Sequence, residues 1–389
     1  MHKSVRQALP VVVLLASIVV LYGALHLALG TQPFAHSIYD SYTLQALAWR
    51  EGRLSLGQAY PHLELAMFNG EWYVSFPPVP SLVQLPLTFL FGRNTPDGLL
   101  VKVYVTLSCL LLYFYFRRVR KLQPWHACLW SLFLIFASDI LSISLDGGVW
   151  YQAQTLNLLL LTAAFVAMAR KKPTLSCALY ALAVGCRPFS VLFGPVLLTM
   201  YLQSRPPRRP LWPGLAVGLG IAACYAAYNL ARFGNPFEFG HNYLPEFVNS
   251  EHGQFSLSYL GKNVRTFLLG LPFAREGGAL VLKMFGFSMF LCNPTTWLTP
   301  VWVACAALRR RVRAGAVISL ALMGAHLFCL LLHKSFGGLQ FGARYTLDLI
   351  PYAFACLHFL PRRAPRTWEN LVFFAFVAFN AVGAHLLYR

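Results

Sequence analysis

Residues 8–30 read "ALPVVVLLASIVVLYGALHLALG", and residues 36–56 read "HSIYDSYTLQALAWREGRLSL". The first stretch is long enough to cross a bilayer, for which about 20 apolar residues suffice. The second contains Asp40, the first acidic residue of the chain. A carboxylate thus stands where the chain leaves its first hydrophobic span. Lys3 and Arg6 precede that span, and no Ala-x-Ala cleavage site follows it. It therefore reads as a retained helix with a cytoplasmic N-terminus, not as a removed signal.

Working outward, the 389 residues are 57% hydrophobic and only 12% charged. A soluble domain carries about a quarter charged residues. The formal charge of +19 comes in short basic clusters between apolar runs, the pattern of cytoplasmic loops, so a nucleic-acid partner is not expected. The nine cysteines lie in apolar segments without CxxC spacing. They read as small buried hydrophobes, with neither a disulfide framework nor a zinc site.

Clear spanning candidates are Leu9–Leu29, Leu99–Phe116, Ala127–Leu145, Val149–Ala169, Leu211–Leu230, Phe285–Leu308, Ala314–Leu332 and Leu371–Tyr388. Basic clusters at Arg117–Lys121, Arg170–Lys172, Arg205–Arg209, Arg309–Arg313 and Arg362–Arg366 are assigned to the cytoplasm. Each interval between them then holds an even number of crossings. Leu175–Leu202 becomes a short hairpin turning near Arg187-Pro188, and Tyr345–Leu360 becomes a crossing. The expectation is a single all-α polytopic membrane domain, 1–389, with about 11 transmembrane helices and the C-terminus outside. The acids, Glu369 excepted, then fall on or near the outer face.

Two outer loops are long, 30–98 and 232–283, and long loops in compact proteins are functional or disordered. Apolar residues after Asp40 recur at helical spacing, which predicts a helix in the interface plane, ended near Gly52, with Tyr42 and Trp49 at headgroup level. "LELAMFNGEWYVSF" predicts a β-hairpin around Asn69-Gly70. "VPSLVQLPLTFLFG" is apolar but too short to span, and reads as a re-entrant or interfacial helix.

This first loop, with its early acid, tyrosine-rich hairpin and "FPPVPSLVQLPLTFLFG", resembles that of the polytopic glycosyltransferases of the GT-C fold. It is most similar to bacterial members of the dolichyl-phosphate-mannose-protein mannosyltransferase-like group. "LAVGCRPFSVLFGP", "YNLARFGNPFEFGH" and "SFGGLQFGARYTLDLIPY" follow in the order that family shows. The resemblance implies an inner-membrane enzyme with an extracytoplasmic active site. It would move a sugar from a polyprenyl-phosphate donor to a hydroxyl of a glycan, lipid or protein acceptor of the cell envelope, with inversion. No cofactor is called for. A divalent metal is compatible with the reaction, but no motif indicates one. Many relatives carry two adjacent acids in the first loop, whereas Asp40 is followed by Ser41. A metal held by neighbouring carboxylates is therefore not expected.

By position alone Asp40 is equally a helix cap or a base; the resemblance implies the base. Arg344, in "FGGLQFGARYTLD", is the candidate for the leaving phosphate, since a guanidinium fork fits phosphate oxygens. His333 and Lys334 lie just upstream as secondary candidates or interface anchors. Arg187 sits within an apolar run, where an unpaired charge costs about 2.5–3.5 kcal/mol on insertion scales. It is read equally as a phosphate contact or as a pair with Asp139 or Asp146. Tyr345, His241, Tyr243, Asp146 and Trp150 are candidates to line the substrate site. Two rival readings stand beside this one: a transporter or flippase for lipid-linked substrates, which needs ionisable residues along a path through the bundle, and a catalytically inactive GT-C-like scaffold.

Overall fold

The computed structural model of the protein describes residues 3–204 and 209–389. Of the basic cluster Arg205–Arg209, only Arg209 lies within the described residues. In chain order the elements are α1 (Lys3–Leu29), α2 (Ser41–Arg50), a hairpin of β1 (Leu65–Phe68) and β2 (Glu71–Val74), α3 (Val79–Phe91), α4 (Asp97–Arg118), α5 (Pro124–Phe136), the single turn α6 (Ile140–Ile143), α7 (Val149–Ala169), α8 (Pro173–Val184), α9 (Gly194–Gln203) and α10 (Trp212–Phe233). Short helices α11 (Pro245–Val248) and α12 (Leu260–Phe267) follow, then a hairpin of β3 (Phe273–Glu276) and β4 (Ala279–Leu282). The turn α13 (Met289–Cys292) leads into α14 (Thr295–Leu308), α15 (Ala314–Leu331), α16 (Ile350–Phe359) and α17 (Thr367–Tyr388).

Among the described residues, six helices are long and apolar enough to cross a membrane: α1 from Ala8, α4, α7, α10, α15 and α17. Shorter apolar helices, α3, α5, α8, α14 and the run Pro188–Gln203, pack beside them. Apolar side chains also point outward: Val19, Val20 and Leu27 on α1, and Trp212 and Leu219 on α10, are all exposed. Only a lipid phase accommodates such faces at low cost. The chain is an integral membrane protein.

Several expected helices are shorter than their apolar runs. The run 127–145 breaks after Phe136, and the run 285–308 becomes regular only at Thr295. Asn293, before Pro294, is held extended at φ −135°, as the proline ring demands of its predecessor. The run 345–360 begins as a 3-10 turn, Arg344–Leu349, and becomes α-helical at Ile350. The 175–202 hairpin turns at Arg187-Pro188, with Arg187 extended. All nine cysteines are free, but Cys224 and Cys305 are exposed on outward helix faces instead of buried.

The segment between α1 and α4 lies over the bundle. The β1–β2 register pairs Leu65 with Val74 and Phe68 with Glu71. Asn69 and Gly70 both take positive φ, 51° and 80°, as a tight two-residue hairpin turn needs. The helix expected after Asp40 is α2, but Tyr42 is fully buried in edge contact with Phe76. It therefore cannot sit at headgroup level; the hairpin covers the face that the helical pattern alone left open. Arg232, at the end of α10, ties this segment to the second loop by donating to the Val74 carbonyl at 2.8 Å. The β3–β4 hairpin, turning at Gly277-Gly278 with φ 59° and 88°, was not legible beforehand.

Candidate functional site

A cavity of about 360 Å³ opens where the hairpin, the start of α7, the Arg187-Pro188 turn, and the chain after α15 converge. Of the candidate residues, Arg344, Arg187, His333, Tyr345, His241 and Trp150 line it. Sequence separations of up to 195 residues, from Trp150 to Tyr345, are closed by the packing.

Arg344 is the centre of this arrangement. It is only 3% exposed. Its Nε and Nη1 have no hydrogen-bond partner among the described residues. Buried donors are nearly always satisfied, and leaving a charged one unpaired costs more than a neutral one. The backbone around Arg344 is tightly fixed. Its N–H donates to Gln340 Oε1 at 2.8 Å, and its carbonyl accepts from Gln154 Nε2 at 2.6 Å. The neighbouring Ala343 N–H donates to Asp139 Oδ2 at 3.2 Å. Gly337 has φ 103°, and a Cβ there would stand 2.5 Å from Arg344 Nε. The glycine thus serves both a left-handed backbone and the guanidinium's space.

The Tyr345 ring lies between two cations, with the guanidinium carbons of Arg187 and Arg344 each 4.9 Å from its centroid. Arg187 Nε donates to Asp348 Oδ2 at 2.6 Å. Its acidic partner is therefore Asp348, not Asp139 or Asp146: the 3-10 turn brings Asp348 to Arg187, while Asp139 is occupied by Ala343 N–H. His333 uses both ring nitrogens. Nε2 accepts from Gln254 Nε2 at 3.0 Å, and Nδ1 donates to the Ser335 carbonyl. Burial pushes its pKa down to about 4, so it brings no positive charge to the cavity at neutral pH. His241 Nδ1 donates to the Ser75 carbonyl at 2.5 Å, and burial likewise lowers its pKa.

Four candidates lie away from this cavity. Lys334 lines a second one of about 790 Å³, with Lys262 and Lys283, and donates to the Glu246 carbonyl at 2.5 Å. The two cavities share Glu246, Ser335 and Gly337. Tyr243 packs against Phe68 and Phe233 with ring centroids 4.9 and 5.3 Å away. Asp146 Oδ1 accepts the Gly148 N–H at 3.0 Å and orders the entry to α7.

Asp40 precedes α2 but makes no capping bond. It is fully buried, and its Oδ2 accepts from Arg93 Nε at 2.7 Å and lies 3.4 Å from His36 Nε2. His36 Nδ1 is 2.8 Å from Asp97 Oδ2, and Asp97 Oδ1 accepts from Gln84 and Thr95. A second carboxylate therefore does stand near Asp40, supplied by the start of α4. Burial pushes the Asp40 carboxyl up, yet the His36 and Arg93 contacts outweigh it and hold the pKa below the usual value. His36, bonded to Asp40 and Asp97, is raised to about 10. Oδ1 of Asp40 is buried without a hydrogen-bond partner among the described residues.

The carboxylates that line the cavity are Glu64, Glu238 and Glu246, none of which sequence reasoning singled out; Glu64 is held there by a side-chain contact. Its Oε2 accepts from Trp150 Nε1 at 3.0 Å, and its carbonyl accepts from Ser75 Oγ at 2.9 Å. The surrounding protein raises its pKa, although solvent reaches it from the cavity. Nothing in the motif around Glu64 marks it; its placement depends on a tryptophan 86 residues away. Among the described residues, no group of three or more His, Cys, Asp or Glu side chains is arranged to hold a metal ion.

No family model matches the chain, and no curated protein matches it. Solved structures do match. ArnT from Cupriavidus metallidurans bound to undecaprenyl phosphate superposes with a TM-score of 0.56 and 16% identity, over 95% of this chain and 63% of that one. The apo state of that protein gives 0.52 and 18%, with the same coverage. The apo oligosaccharyltransferase of Archaeoglobus fulgidus gives 0.50 and 14%, over 96% of this chain and 55% of that one. The chain thus spans less than two thirds of the length of these proteins, and shares their fold.

Proposed function

We propose that the protein is a membrane glycosyltransferase that moves a sugar from a polyprenyl-phosphate donor to an acceptor hydroxyl at the outer face of the membrane. The observation that carries this reading is Arg344, a buried guanidinium with unfilled donors lining a cavity. A phosphate oxygen is the natural partner for such a fork. The leaving group of this reaction gains negative charge as the C1–O bond breaks, so Arg344 binds the transition state more strongly than the intact donor. Arg187, ion-paired with Asp348 through Nε, adds guanidinium N–H groups beside Tyr345. Lys334, at the border of the second cavity, adds longer-range attraction. The likeness to a protein solved with undecaprenyl phosphate supports a polyprenyl chain on the donor. A single displacement by the acceptor inverts the anomeric carbon. The resemblance assigns the acceptor's proton to Asp40, while the position of Glu64 in the cavity offers a second carboxylate.

The test is binding of undecaprenyl phosphate to purified protein in nanodiscs, with undecaprenol and inorganic phosphate as separate arms. Tight binding of the lipid phosphate alone is expected. Arg344→Ala removes charge-assisted bonds worth about 1.5–3 kcal/mol each, so its affinity falls about 100-fold. Sugar release from a panel of polyprenyl-phosphate sugars, with a membrane extract as acceptor source, then establishes transfer. Binding without release from any donor favours a flippase or an inactive scaffold. No binding by the wild type overturns the reading.

A further inference from the structure

We infer that Glu64 is the carboxylate that takes the acceptor's proton in this reaction, a role that rests on the glycosyl-transfer reading. The argument is one of access. A base must reach the hydroxyl that attacks, within about 2.6–3.2 Å or through one water. Glu64, Glu238 and Glu246 line the same cavity as Arg344, whereas Asp40 does not. Glu238 spends both oxygens on the Gly240 N–H and Asn242 Nδ2, and of the other two only Glu64 is positioned by a side-chain hydrogen bond among the described residues. Asp40 has also committed Oδ2 to Arg93, and it is fully buried.

Glu64 is built into its place. The Leu65–Val74 pairing fixes the strand that follows it, Ser75 holds its carbonyl, and Trp150 holds Oε2. Trp150 is itself packed against Tyr39, with ring centroids 5.0 Å apart. These contacts leave Oε1 without a hydrogen bond among the described residues and the carboxyl open to solvent from the cavity. The step balances: the acceptor O–H proton passes to Glu64, the acceptor oxygen bonds C1 of the sugar, and the C1–O electron pair leaves with the phosphate. Surroundings that raise the carboxyl's pKa make it a stronger base than a solvated glutamate. Of the charges around it, Arg344 favours the carboxylate and Glu246 disfavours it. Arg187 and Glu238 also face the cavity, as do His241 and His333, whose lowered pKa values keep them neutral.

The experiment compares wild type, Glu64→Gln, Glu64→Asp and Asp40→Asn in the two assays above, with thermal unfolding as a fold control. Glu64→Gln removes a negative charge beside the phosphate site. It is expected to bind undecaprenyl phosphate about three- to tenfold more tightly than wild type at pH 8. The gap narrows as the pH is lowered to 4.5, where a carboxyl raised above its ordinary value is mostly protonated. Sugar release falls at least 100-fold in Glu64→Gln and recovers in part in Glu64→Asp. The inference is overturned if Glu64→Gln binds no more tightly at pH 8, or if it releases sugar at more than a tenth of the wild-type rate. A Glu64→Gln protein that fails the fold control leaves the decision to Glu64→Asp, whose release must fall below wild type while its lipid-phosphate affinity stays within twofold. Failure of the functional reading looks different: wild type then binds no lipid phosphate, or Arg344→Ala binds it as well as wild type.

Discussion

Two arginines in this molecule both lie against aromatic rings, one partly exposed and one buried, and differ in what fills their forks. Arg363 lies between Trp130 and Trp302, with its guanidinium 5.0 and 5.6 Å from the ring centroids. Both terminal nitrogens donate to Glu369, each at 2.6 Å. Glu369 is fully buried and also accepts from Trp302 Nε1 at 2.8 Å and from the Arg366 N–H at 2.7 Å. Every acceptor there has a donor, and the set caps α17. Arg344 also lies among aromatic rings, Tyr151 and Tyr345, yet no hydrogen bond reaches its Nε or Nη1. The chain fills an arginine fork completely where it clasps a buried carboxylate. Under the proposed function, the unfilled fork of Arg344 at the cavity wall is a site for an anion, since a folded protein tolerates that cost where a ligand offsets it.

The largest expected effect tests the filled fork. Arg363→Ala leaves Glu369 buried and unpaired, which costs about 3–5 kcal/mol. Thermal unfolding in detergent reads that loss, and material that remains folded binds undecaprenyl phosphate as wild type does. An equal loss of stability in Arg344→Ala would erase the distinction between the two sites. The next effect sharpens the empty fork. Gly337→Ala introduces a Cβ at φ 103° and 2.5 Å from Arg344 Nε, at a backbone cost of about 1–3 kcal/mol. Lipid-phosphate affinity is expected to fall about tenfold. Gly338→Ala, where nothing lies within 4 Å of the added methyl, costs less in the same titration.

The smallest effect separates both arginines from the charged cluster at Asp40. The raised His36 contributes stability fully present below its ordinary 6.5 and lost as pH rises through about 10. Asp40, held below its ordinary 3.8, contributes stability present above that value and lost as pH falls through its lowered one. The protection factor at the first amides of α2, exchange corrected for its base-catalysed intrinsic rate, is therefore largest between about pH 4 and 6.5. It falls severalfold by pH 10.5, while that of α7 amides is kept. A protection factor constant across this range would show that the cluster does not hold α2.

How far all this was legible follows from the range of each interaction. The apolar runs, the Asn69-Gly70 turn and the Arg187-Pro188 turn are local, and sequence alone located them. The breaks at Ala137–Asp139 and before Thr295 lie inside runs that stay apolar, so hydropathy missed them, although Pro294 was a visible signal. Arg344 was legible because a cation among glycines and aromatics is locally odd. Asp348 as the partner of Arg187 was not, because 161 residues separate them. Glu64 was invisible for the same reason. Asp40 was conspicuous in the chain, yet its geometry reveals contacts to Arg93 and His36 that no local pattern announces.

Glu246, Ser335 and Gly337 line both cavities, so the two compartments share wall residues. Under the proposed function, a ligand in one would meet residues that a ligand in the other also meets, and their binding free energies do not add. Binding titrations would register this as an interaction factor between the two ligands, equal whichever is titrated first. A factor of unity requires independent walls, and these walls are in part common.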